Sequence, residues 1–190
     1  MLQRLRKQYG CTLAELLIVA AIVAVLAAVA IPFFSIKLEK SREAADLYLM
    51  RSVASIAQDY YYEDVHDKAS ATAAGMGWYG VGSSKEWNAF AVYDPVSGSF
   101  YPSWESFIDA GGKGYGKGTK TNGGTDVKDF SGELMYDPKA DYTKAGCQVC
   151  IFPHGVKRIE VAWKIVQRGS RPFVGKTANG YHPVYTLYLD

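Results

Sequence analysis

The sequence predicts an α+β protein. One long amino-terminal helix, apolar all round in its first half and amphipathic in its second, packs on a small antiparallel sheet. Three observations predict this. Residues 16–34 are nineteen consecutive positions without a polar side chain. Over residues 35–62 the apolar side chains recur at helical spacing. Beyond that, short apolar runs alternate with turns rich in Gly, Pro and Asp, as short strands do. Of 190 residues, the helix takes about 50 and leaves roughly 130, enough for one modest head domain.

At ~1.5 Å per residue the apolar run spans ~28 Å, close to the hydrocarbon thickness of a bilayer. A secretory signal peptide has a shorter apolar core, ~7–15 residues, that ends at a small-residue cleavage site. Here Ser35-Ile36-Lys37 follows directly. A lipoprotein signal places its apolar run before the cysteine, and this run follows Cys11. Arg4, Arg6 and Lys7 lie just upstream. The positive-inside rule therefore predicts a cytoplasmic amino terminus and a head outside the membrane. A single carboxylate, Glu15, stands at the mouth of the run. A charge there is expensive to draw inward and calls for a partner. A cut after Gly10 would free an amine at Cys11, four residues before Glu15 and on the same helical face.

Gly10-Cys11-Thr12-Leu13-Ala14-Glu15, with a short basic leader before it and the apolar helix after it, resembles the class III signal of type IV pilins and type II secretion pseudopilins. The resemblance covers roughly residues 4–60. It implies a pilin-like fold and a leader, residues 1–10, removed by a prepilin peptidase between Gly10 and Cys11. The same enzyme would methylate the new amino terminus at Cys11. Family helices usually begin with phenylalanine or another large apolar residue, and here Cys11 stands in that place. By the same resemblance Glu15 is the assembly glutamate and Pro32 the position where the helix bends. The implied function is that of a structural subunit of a type IV pilus-like filament, or of a secretion pseudopilus. The implied partners are other subunits, the peptidase and methyltransferase, a membrane assembly platform, and the bilayer before assembly. The implied location is the cytoplasmic membrane, in a single pass, and then an extracellular or periplasmic filament.

The organisation expected is a leader (1–10), a membrane or filament-core helix (11–34), an amphipathic helix (35–62) and a head (63–190). In the amphipathic part Leu47, Met50, Ala54, Ala57 and Tyr61 share one arc, and Leu49, Val53, Ile56 and Tyr60 the next. Arg51, Ser52, Ser55, Gln58 and Asp59 take the opposite half. In Tyr60-Tyr61-Tyr62 two of the three therefore read as core residues, not as an electron path. In the head, residues 69–82 read as a small-residue loop and 111–124 as a glycine-rich loop. Strands are expected at 88–93, 134–136, 148–152, 158–167 and 185–189, forming a sheet of about four strands. Ser103 should cap a short helix over 104–110.

Net charge is +2, so no strongly charged partner is implied, and scattered basic residues form no nucleic-acid patch. The glycine-rich loop lacks the P-loop order, and no serine sits in a nucleophile elbow. His66 reads as part of a solvated turn among acidic residues, and His154 and His182 stand in no catalytic motif. The sequence calls for no enzyme activity and no cofactor. Cys147 and Cys150 leave three readings open: a disulfide or two free thiols, a zinc pair completed by His154, or a redox pair. Glu133, Asp137 and Asp141 are weak candidates for calcium, without the EF-hand pattern. A function of another class stays open as well: a single-pass anchored protein whose outer domain binds a ligand or acts as a sensor.

Overall fold

A computed structural model of the chain describes residues 12–81, 86–116, 145–164 and 184–190. The fold divides into two units, Met1–Lys37 and Leu38–Asp190.

Helix α1 (Leu13–Tyr62) is one 50-residue element that runs through both. In the first unit its side chains face outward on all sides. Leu16, Ile18, Ile22, Leu26, Phe33 and Phe34 are each more than half exposed. Helical structure continues through Pro32. Proline has no N–H to give to the preceding turn. The Ser35 hydroxyl donates to the Pro32 carbonyl oxygen at 2.9 Å.

In the second unit α1 is amphipathic. Met50, Val53, Ala54, Ala57 and Tyr61 are buried, and Leu47, Leu49, Ile56 and Tyr60 pack against them half-buried. The two apolar arcs read from the sequence are therefore the ones that meet the head. Glu39, Glu43 and Asp46 continue the same buried face toward the amino terminus. Periodicity of apolar residues gave no hint of them.

The head holds six strands among the described residues: β1 (Gly77–Val81), β2 (Glu86–Asp94), β3 (Ser99–Tyr101), β4 (Gly146–Phe152), β5 (Arg158–Lys164) and β6 (Val184–Tyr188). Every pairing is antiparallel. The order is β1-β2-β4-β5-β6, with β3 pairing the far end of β2. Alternate residues of the central strands face α1. They are Ala89, Ala91 and Tyr93 from β2, Cys147, Val149 and Ile151 from β4, and Ile159, Val161 and Trp163 from β5. Each large aliphatic chain buried there contributes about 1.5–3 kcal/mol. Phe107 of helix α3 (Trp104–Asp109) forms a second buried cluster with Val92.

This is the α+β, pilin-like layout expected: a long helix packed on a small antiparallel sheet. Strands β2, β4, β5 and β6 answer to four of the expected runs, with shifted ends. The run 134–136 lies outside the described residues. Ser103 caps α3 as expected, accepting from the Ser106 amide at 3.1 Å. The loop expected over 69–82 is a correction: helix α2 (Lys68–Ala73) and strand β1 occupy it. Asp67 caps α2, accepting from the Ser70 amide at 2.8 Å, and this bond holds the Asp67 carboxyl below its usual range. Strand β1 owes its form to pairing with β2, which overrides its glycine content. At Gly77 a Cβ would come within 2.5 Å of the Pro102 carbonyl oxygen, so only glycine fits that approach.

Candidate assembly site

The site is the amino-terminal end of α1. Thr12 immediately precedes the helix, which starts at Leu13. The Thr12 amide and the Thr12 hydroxyl both donate to Glu15 Oε2, each at 2.8 Å. In return the Glu15 amide donates to the Thr12 hydroxyl at 3.3 Å. The two residues form a reciprocal cap that satisfies amides a helix otherwise leaves unpaired. The carboxylate is thereby turned back toward the start of its own helix. Negative charge is favoured there by the helix dipole as well. The signature for this cap, Thr-x-x-Glu, is present in the sequence. Reading Glu15 only as a partner for a neighbouring subunit overlooks it.

Past this cap, α1 presents apolar side chains to solvent for more than five turns. Its apolar stretch is long enough to cross a bilayer. An uncovered apolar surface of that extent is covered in practice by lipid or by other protein. Gly10 and Cys11 lie outside the described residues. So do Glu133, Asp137, Asp141 and His182.

Of the readings open for the cysteine pair, the geometry favours two free thiols. Cys147 and Cys150 are both free and buried, not joined. They lie three apart in β4, and side chains of a strand alternate between faces. Cys147 faces α1, opposite Trp163, while Cys150 faces the other way, opposite Glu160. A bond between them would require the strand to be dismantled. Burial pushes the Cys150 thiol up to about 12. Burial, with Asp46 nearby, pushes Cys147 higher still. Neither is a nucleophile at neutral pH. His154 is exposed in the turn after β4, and no set of three metal-binding side chains converges among the described residues.

His66 serves its turn. Its Nδ1 lies 3.0 Å from Asp64 Oδ1, its ring packs edge-on to Tyr61 at 4.8 Å, and its amide donates to the Ser70 hydroxyl. Tyr61 is buried and packs edge to face on the exposed Tyr62, 5.5 Å between ring centres, while the Tyr60 ring packs on Phe100 at 5.1 Å.

Arg158 was not singled out by its sequence. It grips Glu86 with two bonds, at 2.7 and 3.0 Å, and Glu160 with a third at 2.7 Å. Its guanidinium lies 3.8 Å from the centre of the Phe152 ring. The Arg158 hydrogen bonds hold the Glu86 carboxyl below its ordinary range. This is a clasp between the start of β2 and β5.

Residues 5–31 match the family model described as the prokaryotic N-terminal methylation motif. That motif is the class III signal of type IV pilins and pseudopilins. No curated protein and no solved structure matches the chain.

Proposed function

We propose that the chain, whose methylation motif supports a pilin-like or pseudopilin precursor, is a structural subunit of a type IV pilus-like filament. Its leader is cut between Gly10 and Cys11, and the new amino terminus is methylated. The basic residues Arg4, Arg6 and Lys7 keep that end in the cytoplasm while the apolar half of α1 holds the subunit in the membrane. On extraction, the same apolar surface packs against other copies and forms the filament core. The head, fixed to the second half of α1, lies outside and gives the filament its surface.

One observation carries this reading. A lone carboxylate opens an apolar helix, directed by Thr12 toward the helix start. A cut after Gly10 places a cationic amine at the same level. In the bundle the Glu15 carboxylate of one subunit meets the amine of the next. Stripping one partner from a buried pair costs about 3–5 kcal/mol, or roughly two to four decades in the association constant of each subunit. That is enough to set the axial register of the filament.

The test is filament yield from Glu15→Ala expressed beside wild type. The variant should be processed and membrane-bound, and its yield should fall at least about tenfold, a lower bound on the cost above. Wild-type yield from the variant contradicts the register. A wild-type chain that keeps its leader and stays monomeric in and out of detergent overturns the whole reading in favour of an anchored sensor.

A further inference from the structure

The face of the sheet away from α1 carries a groove of about 280 Å³. Its walls include Tyr79 of β1, Phe90 of β2 and Trp104 of α3. The Tyr79 and Phe90 rings meet edge to face, 5.3 Å between centres. Asn88 also lines it, at Cα register with Tyr79. Asparagine is a poor strand residue, and this one is fully buried in the middle of β2. Its Nδ2 donates to the Tyr79 carbonyl oxygen at 3.1 Å. Its Oδ1 is buried with no partner among the described residues. A buried acceptor left unmet is costly, and one in a native fold calls for an explanation.

We propose that this groove binds a small aromatic molecule carrying an N–H or O–H donor, with Asn88 Oδ1 accepting from it. The volume is about that of nine waters at ~30 Å³ each, room for one bicyclic ring. Aromatic walls suit a planar apolar body, since ring pairs favour edge-to-face and offset contacts. The unmet acceptor requires a donor. Lys164 is the charged side chain among the described lining residues, and it disfavours a cationic ligand. The Cys150 thiol in the wall stays protonated, so it adds no charge. Ligand sites of this kind combine apolar walls with a few placed polar groups. The site does not depend on assembly, since every residue in it belongs to the head.

The experiment titrates indole into the full chain in detergent micelles and follows the Asn88 side-chain amide by NMR. N-methylindole, which lacks the donor, is run beside it. Indole should give a saturable shift at Asn88, and N-methylindole should bind about fivefold more weakly, the effect of one lost hydrogen bond. Trp104→Ala, which removes a wall outside the strand ladder, should weaken indole by about tenfold, as loss of a buried aromatic contact does. No saturable shift, equal affinity for the two probes, or full indole affinity in Trp104→Ala each overturns the proposal. The comparison of the two probes on the unaltered chain stands even where the variant folds poorly.

Discussion

Glu86 and Arg158 are 72 residues apart and meet in two hydrogen bonds. Nothing in the local sequence announces such a pair, because only strand register brings it together. Glu15 is the opposite case. Its isolation in an apolar run makes it visible at once, and its cap partner Thr12 stands three residues away. The Arg158 clasp predicts a pH effect. Arg158 lowers the Glu86 carboxyl from its ordinary value. A lowered folded value means the stabilising contribution is present above the unfolded carboxylate range and is lost as pH falls through the folded value. Thermal midpoints should therefore drop from about pH 5 downward, and Glu86→Gln should make that limb shallower. An unchanged acid limb in Glu86→Gln would show that the pair contributes nothing. Glu86 and Glu160 are each about a third exposed, at 35% and 32%. Solvent weakens such pairs, so Arg158→Ala should cost about 1–2 kcal/mol and no more.

At the scale of elements, periodicity carried the long helix and the half-buried strand β5. Both patterns repeat over enough residues to separate 3.6 from 2. The short elements were hidden for different reasons. Helix α2 has six residues, too few for a periodic signal, and only its Asp67 cap marks it. Strand β3 has three and exists through its pairing with β2. The cysteines show how an element decides chemistry. Two positions three apart can approach in a turn, but in β4 they take opposite faces. Strand β4 is also the seam of the core. Ile151 is fully buried between Ala89 of β2 and Ile159 of β5. Ile151→Ala should cost about 2–4 kcal/mol in chemical unfolding of the full chain. Val96→Ala, at a residue 73% exposed, should cost under about 0.5 kcal/mol. Similar losses at both would mean the core is elsewhere.

For the whole molecule, the apolar amino-terminal half of the helix calls for cover. On the proposed function, a bilayer covers it in the stored subunit and neighbouring copies cover it in the filament. Under that proposal, cleavage and methylation at the motif matched over residues 5–31 mark the passage between the two states. The two-part plan was legible because solvation writes it into composition: nineteen residues without a polar side chain cannot belong to a water-exposed head. The groove beside Asn88 was not legible, since it is assembled from β1, β2, β4, β5 and α3. Mass spectrometry of the intact chain in purified filaments tests the central claim most directly. The account predicts a chain that begins at Cys11 and carries one added methyl group. Filaments built from chains that still begin at Met1 would contradict it.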